Sequence, residues 1–214
     1  MTGKLITFEG IDGSGKTTGC KKVYVRLKKK TKIVLVSEPT KTWLGDGVRR
    51  AMDEKVSPFT GALLFMADHA NLLEKIKKYL EDGINVICDR YNDSSYAYQG
   101  VELKNILAKY NIDSLEYLME IQKPFTIIPD LTLLFVVKPE TAMKRISHRK
   151  KTRFEKIRFL KDVQNIYLRL AEKEKRYKKI DANRNVDEVV EECVREIEKI
   201  TGLLRFTHFP PVHL

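Results

Sequence analysis

A glycine-rich segment near the start of the chain carries the residue types that bind nucleotide phosphates. GIDGSGKT, residues 10–17, fits the pattern G-x-x-x-x-G-K-[ST] at every fixed position. Its glycines let backbone N–H groups turn inward around phosphate oxygens. Lys16 supplies a positive charge for the outer phosphates, and the Thr17 hydroxyl can ligate Mg²⁺. The segment predicts binding of ATP or GTP with Mg²⁺, through Gly10, Ile11, Asp12, Gly13, Ser14, Gly15, Lys16, Thr17 and Thr18.

A second segment, CDRY at residues 88–91, ends an apolar run with a charged pair. An aspartate at such a strand end lies beside the phosphate loop of a parallel sheet, so Asp89 is a candidate ligand for Mg²⁺ or its water shell. Arg90 offers a fork of donors that suits a phosphate group. The alternative is a solvated strand end that binds nothing.

A third segment, SEPT at residues 37–40, ends another apolar run. Pro39 restricts the residue before it to extended conformations, which directs Glu38 and the following loop toward the same crevice. Arg49 and Arg50 come next and could meet a second phosphate. An ordinary turn explains this segment equally well.

A strongly basic segment, residues 144–158, has eight lysines and arginines and one acidic residue. A basic cover that excludes water would stabilise the negative charge of a transferred phosphoryl group. A solvated helix face and a nucleic-acid patch are the competing interpretations. The phosphate loop and the two strand ends in the same chain favour a lid.

Strand-like and helical patterns alternate along the chain, as a parallel sheet requires. We therefore expect one α/β domain whose ligands bind beyond the carboxyl ends of the strands. The predicted strands are 4–8, 32–37, 84–89, 131–137 and 178–182. The predicted helices begin at about Lys16 and cover about 59–82, 94–110, 113–121, 139–149, 154–175 and 186–200.

Composition narrows the class of protein further. The 214 residues are 43% hydrophobic, with no apolar run near the roughly 20 residues of a membrane span. The first residues lack the layout of a secretory signal, so we expect a cytoplasmic protein. Three distant cysteines without a CxxC argue against disulfides or a zinc site. The net charge of +11 suits small anionic ligands, nucleic acid or an anionic membrane.

Six segments together resemble the thymidylate kinase family of P-loop nucleoside monophosphate kinases, which transfer the γ-phosphoryl group of ATP to dTMP. They are FEGIDGSGKTT, SEPT with LGDGVR, LLFMADH, CDRYNDSSYAYQG, PDLTLLFVVKPETAMKR and RFE. The resemblance implies a three-layer P-loop NTPase fold with a five-stranded parallel sheet and helices on both faces. It implies one kinase domain over residues 1–202, a lid at about 144–155, and a tail at 203–214 of unknown role. It also implies a homodimer through helices 59–82 and 94–110, and no nucleic-acid or membrane partner.

The resemblance also assigns roles to individual residues. Asp12 would receive the 3′-hydroxyl of dTMP, Phe65 would stack on thymine, and Tyr98 would sit near C2′ of the sugar. Arg90 would clamp the donor and acceptor phosphates. The implied dTMP-binding set is Asp12, Glu38, Pro39, Arg49, Phe65, His69, Arg90, Ser95, Tyr98 and Gln99. The implied catalytic set is Lys16, Arg90, Arg145, Arg149 and Arg153, and the metal ligands are Thr17 and Asp89.

Two departures from the family pattern carry information. Some members have an arginine inside the phosphate loop, but this chain has Ser14 or Gly13 there, so the catalytic arginine is sought in the lid, with Arg149 first. The family usually has LLFAADR where this chain has LLFMADH, which puts His69 in place of an arginine that meets the thymine carbonyl. A structural histidine is one interpretation, and looser base selection with acceptance of dUMP is the other.

Three alternatives to dTMP phosphorylation remain. A related nucleoside monophosphate kinase with a broader acceptor range is the nearest, because of His69. A GTPase-type switch is disfavoured because no NKxD guanine-reading motif is present. A nucleic-acid-binding protein would use the basic face instead.

The turn around residues 181–184 is a candidate contact for the adenine of ATP.

Overall fold

The computed structural model describes residues 3–146 and 157–203. Within these ranges the sheet is parallel throughout, with the strand order β2-β3-β1-β4-β5. This confirms the α/β fold with a five-stranded parallel sheet. The strands are β1 (Leu5–Glu9), β2 (Ile33–Ser37), β3 (Asn85–Asp89), β4 (Leu131–Val136) and β5 (Tyr177–Asp181).

Eight α-helices surround the sheet in the described ranges. They are α1 (Lys16–Leu27), α2 (Trp43–Glu54), α3 (Pro58–Glu81), α4 (Asn92–Leu107), α5 (Ser114–Gln122), α6 (Pro139–Ile146), α7 (Ile157–Lys173) and α8 (Val186–Thr201). Short 3₁₀ turns follow α4 and α5. The predicted helices are all present. Residues 147–156 and 204–214, which include most of the predicted lid and the tail, lie outside the described residues.

Helix α2 is the element that the sequence pattern missed. Its buried residues are Gly45, Val48 and Ala51, so its inner face is narrow and made of small side chains. Gly45 and Gly47 also resemble turn signals when read from the sequence alone. At Gly45 a side chain would collide with the Thr40 backbone, because a Cβ there would lie 2.0 Å from the Thr40 carbonyl oxygen. The glycine therefore permits close packing of this helix onto the loop before it.

Alternate residues of β1 face opposite helical layers. Leu5 packs in a cluster with Leu72, Leu73 and Ile76 of α3. Ile6 and Phe8 belong to the larger core, which includes the buried face of α1. Burial on both faces explains why the central strands are mostly apolar. The three cysteines are buried with free thiols. Across the described ranges, no helix is long and apolar enough to cross a membrane.

Candidate active site

The carboxyl ends of β1 and β3 bring the predicted motifs to one edge of the sheet. Phe8 of β1 pairs in register with Asp89 of β3, so the phosphate loop and the charged pair of CDRY leave the sheet side by side. The Arg90 amide donates to the Phe8 carbonyl oxygen at 3.1 Å. Sheet topology therefore places Arg90 next to the loop, although the two are about 80 residues apart in the chain.

The phosphate loop depends on backbone conformations that favour glycine. Gly13 has φ +80° and Gly15, immediately before α1, has φ +88°. A Cβ at Gly13 would lie 2.3 Å from the Ala142 carbonyl oxygen, because the loop packs against α6. The loop is therefore curled at the positive end of the α1 dipole, which is the arrangement that binds phosphate.

Lys16 is held in the interior of this edge. It is only 4% exposed, and its Nζ lies 3.7 Å from Asp12 Oδ1. Burial, followed by the positive charge of Arg90, lowers the pKa of Lys16 to about 8. A phosphate anion beside this ammonium group would raise the pKa of Lys16 again.

Arg90 is fixed by contacts on three sides. Its Nη2 forms an ion pair with Asp12, its Nη1 donates to Ser94 Oγ at 3.1 Å, and its guanidinium lies 5.0 Å from the centre of the Tyr98 ring. The Asp12 amide also donates to the Tyr98 hydroxyl at 2.8 Å. Burial opposes ionisation of Asp12, but the charges of Arg90 and Lys16 prevail and lower its pKa. The cluster therefore holds Arg90 as a cation.

Two cavities meet at this cluster. The larger, about 450 Å³, is mainly polar, and its walls are Asp12, Gly13, Gly15, Lys16, Thr17, Thr18, Met52, Arg90, Arg145 and Ile146. The smaller, about 130 Å³, is mainly apolar, and its walls are Asp12, Pro39, Met52, Phe65, Arg90, Ser94, Tyr98 and Gln99. Arg90 and Asp12 line both. A polyphosphate in the larger cavity and a second ligand in the smaller one would share the same guanidinium group.

Comparison with known proteins identifies the family of this chain. The family model described as Thymidylate kinase matches residues 8–193. A protein of Methanosarcina barkeri named "Probable thymidylate kinase" is 44% identical over 202 residues, which cover 92% of this chain and 97% of the relative. The chain belongs to the thymidylate kinase family. Relatives with the same name from Methanococcoides burtonii and Natronomonas pharaonis are 42% and 38% identical, over 94% and 92% of this chain and 98% of each relative.

The smaller cavity contains much of the acceptor set that the resemblance to thymidylate kinases implied. Its walls include Asp12, Pro39, Phe65, Arg90, Tyr98 and Gln99. Two wall residues were not in that set, Met52 and Ser94. Met52 comes from α2, the helix that was missed, and Ser94 is the neighbour of the serine that was chosen. No motif marks either residue in the sequence. Only the direction in which each side chain points from its helix could have identified it as a wall of the cavity.

Four members of the implied acceptor set are not walls of the smaller cavity. Glu38 and His69 pair with each other, with Nδ1 and Oε1 2.7 Å apart. Arg49 donates to the Thr40 carbonyl oxygen at 2.7 Å and to Asp46 at 2.6 Å. Ser95 accepts from Gln122 Nε2 at 3.3 Å. Their roles in acceptor binding stay predictions.

Asp89 has the character of a cation ligand. Its Oδ1 is buried and has no hydrogen-bond partner among residues 3–146 and 157–203. Its charge also acts to raise the pKa of Lys16, so it lies near the phosphate loop. An orphaned carboxylate oxygen there fits Mg²⁺ or a water bound to it. The described residues contain no group of three histidine, cysteine or acidic side chains that could hold a metal ion, so water and phosphate would complete the coordination shell.

Residues 144–146 are the part of the predicted lid that the structure describes, and Arg145 is the predicted lid donor among them. From the end of α6 it donates to the Ser14 carbonyl oxygen at 3.3 Å and to the Ala182 carbonyl oxygen at 3.0 Å. It therefore links the phosphate loop to the turn after β5, where Ala182 and Arg184 line a further cavity of about 270 Å³. Arg149 and Arg153 lie outside the described residues.

Proposed function

We propose that this chain transfers the γ-phosphoryl group of ATP to dTMP, giving ADP and dTDP. One observation carries the proposal: Arg90 and Asp12 are walls of both the polar cavity at the phosphate loop and the smaller apolar cavity. A bridging guanidinium can neutralise a donor and an acceptor phosphate at once. Membership of the thymidylate kinase family supports dTMP as the acceptor.

The walls of the smaller cavity suit a planar, partly apolar base. Phe65 and Pro39 supply flat apolar surface, against which a pyrimidine ring can stack. Gln99 is 1% exposed, and its Oε1 has no partner in the described part of the chain. A thymine N3–H would satisfy that oxygen, while the amide nitrogen can donate to a carbonyl oxygen of the base. The amide oxygen and amide nitrogen of Gln99 would together select a base by the donor and acceptor atoms along its edge.

Catalysis in this proposal consists of positioning and charge neutralisation. The acceptor phosphate is already an anion, so no strong general base and no covalent intermediate are needed. Lys16 would stabilise the outer phosphates of ATP, and Arg90 the transferred group. Arg145, Arg149 and Arg153 are the proposed lid donors. Thr17 and Asp89 would hold Mg²⁺, which supplies positive charge to the ATP phosphates.

The remaining parts of the proposal concern organisation and setting. We place a single kinase domain at residues 1–202, with the lid at about 144–155. Helices α3 and α4 would form a homodimer interface, and Leu63 of α3 offers 60% of its surface to it. The protein would act on free nucleotides in the cytoplasm, without a nucleic-acid or membrane partner.

An ADP-release assay across nucleoside monophosphates tests the activity. We expect dTMP to give the highest kcat/KM, ATP to serve better than GTP, and activity to be lost when Mg²⁺ is chelated. Release of ADP with another monophosphate in preference to dTMP would instead support a related kinase of broader range. Salt-sensitive binding of oligonucleotides, with no monophosphate turned over, would contradict a kinase altogether.

A further inference from the structure

A triangle of three buried oxygen atoms lies beneath Arg90. Ser94 Oγ is 2.6 Å from Glu9 Oε2, the Tyr167 hydroxyl is 2.9 Å from the same Glu9 atom, and the two hydroxyls are 2.9 Å apart. Glu9 and Tyr167 are fully buried and Ser94 is 8% exposed. The triangle joins the end of β1, the first turn of α4 and the middle of α7.

The triangle connects directly to Arg90. Its corner at Ser94 Oγ accepts from Arg90 Nη1 at 3.1 Å, while Nη2 of the same guanidinium pairs with Asp12. The other oxygen of Glu9, Oε1, accepts from the Tyr91 amide at 2.8 Å, which fixes the backbone next to Arg90. Glu9 and Tyr167 are not walls of either nucleotide cavity. Any effect of Glu9 or Tyr167 on the reaction must therefore pass through a neighbour that lines a cavity, and the triangle reaches two of them, Ser94 and, through Ser94 Oγ, Arg90.

Counting protons shows how the triangle can be closed. Three edges at hydrogen-bonding distance require three protons, and the hydroxyls of Ser94 and Tyr167 supply two. A neutral Glu9 carboxyl would supply the third, and it would leave Ser94 Oγ free to accept from Arg90. Burial, followed by the negative charge of Asp93, raises the pKa of Glu9 to about 8, which agrees with a neutral group.

The charged groups around Glu9 also favour a neutral Glu9 carboxyl. Arg90 is paired with Asp12, and Asp93 is paired with Arg176 at 2.7 and 2.9 Å. The positive charges nearby thus already have acidic partners, so an ionised Glu9 would add a buried negative charge. The groups that interact with it are Lys16 of α1, Cys88 of β3, Arg90 and Tyr91 after β3, Asp93 and Ser94 of α4, Tyr167 of α7 and Tyr177 of β5.

We propose that Glu9 and Tyr167 are positioning residues for Arg90, acting through a closed ring of hydrogen bonds whose Ser94 oxygen holds the guanidinium between the two nucleotide cavities. The proposal rests on phosphoryl transfer to dTMP as the reaction of this site. It differs from a simple packing role because it requires the hydroxyl of Tyr167 and a neutral group at position 9.

The variant Tyr167→Phe tests the hydroxyl. It keeps the ring volume, so we expect kcat to fall about tenfold while KM for both substrates stays within about twofold, since one buried hydrogen bond is lost. Tyr96→Phe is the matched control, because Tyr96 is also a buried tyrosine whose hydroxyl accepts from Asn92 at 3.0 Å, outside the triangle. A Tyr167→Phe enzyme as fast as the control would overturn the proposal.

The double variant Arg90→Ala with Tyr167→Phe tests the route of the effect. If Tyr167 acts through Arg90, its replacement should lower kcat by less than about twofold once Arg90 is gone. A full tenfold loss of kcat in that background would overturn the proposal.

The variant Glu9→Gln tests the neutral group. Its amide should keep kcat within about threefold, whereas Glu9→Ala should lower kcat at least tenfold. Equal losses in the two variants would also overturn the proposal.

Thermal unfolding separates this inference from the proposed reaction. The Tm shifts of Tyr167→Phe and Ser94→Ala should be non-additive by several degrees, because both remove edges of the same triangle. This measurement needs no substrate. Inactivity of the wild type toward dTMP would reject the proposed reaction while leaving the Tm result to decide whether the ring exists, and additive shifts would reject the ring.

Discussion

His69 and Glu38 form a buried pair, with Nδ1 and Oε1 2.7 Å apart. The other ring nitrogen of His69 lies 3.3 Å from Thr126 Oγ1, and its ring meets Tyr91 edge-on at 4.7 Å between centres. His69 is 1% exposed. Both ring nitrogens are thus engaged by protein groups, which leaves His69 fewer donors for a base than an arginine at this position would have.

Base selection should therefore be looser than an arginine at position 69 would impose. A base held without the arginine donor contacts the walls less tightly. The 5-methyl group, by which dTMP differs from dUMP, should therefore contribute less to kcat/KM. We expect dUMP to be a substrate, and His69→Arg to raise the ratio of kcat/KM for dTMP over dUMP. Steady-state kinetics on both nucleotides, with Tm as the check on folding, decides this. An unchanged ratio would remove His69 from base selection.

Replacing Lys16 or Arg90 by alanine should stop the reaction without unfolding the protein. Each side chain is expected to stabilise negative charge on a phosphate, and loss of such a group costs about 10²–10⁴-fold in kcat. Arg90→Lys should recover only part of the loss, because an ammonium group cannot reach Asp12 and Ser94 together as the guanidinium does. Near-normal turnover by either alanine variant, with circular dichroism unchanged, would refute its role.

The sequence predicted the strands of the sheet more completely than it predicted which side chains of the surrounding helices line the site. Apolar runs define β1 to β4, because burial leaves few polar residues in them, whereas β5 (YKKID) has one buried residue and gives a weak pattern. Helix α2 buries only small residues and was missed together with Met52. Neighbouring residues on a helix point about 100° apart, so Ser94 and Ser95 face different directions, and it is Ser94 that lines the smaller cavity. The Glu38–His69 pair depends on a contact across 31 residues, which periodicity cannot reveal.

The unfolding free energy should fall with rising pH through the ionisation of Glu9. Its pKa in the folded protein, about 8, exceeds the ordinary value of 4.5, so between these values the folded state holds a proton that the unfolded state releases. The unfolding free energy then falls by at most about 1.4 kcal/mol per pH unit, and the loss ends above the folded pKa. Glu9→Gln should lack this component. Urea unfolding of both proteins at pH 5 and pH 8 tests it, and a constant difference would contradict it.

Alanine at Gly13 should destabilise the protein more than alanine at Gly15. Both glycines have positive φ, +80° and +88°, so backbone strain of about 1 kcal/mol is common to the two variants. A Cβ at Gly13 would in addition lie 2.3 Å from the Ala142 carbonyl oxygen, whereas the nearest atom to a Cβ at Gly15 is Arg145 Nη1 at 3.9 Å. Backbone of α6 must shift in the first case only, so urea unfolding should show Gly13→Ala losing at least about 1 kcal/mol more. Equal losses would mean that α6 does not rest on the phosphate loop in solution.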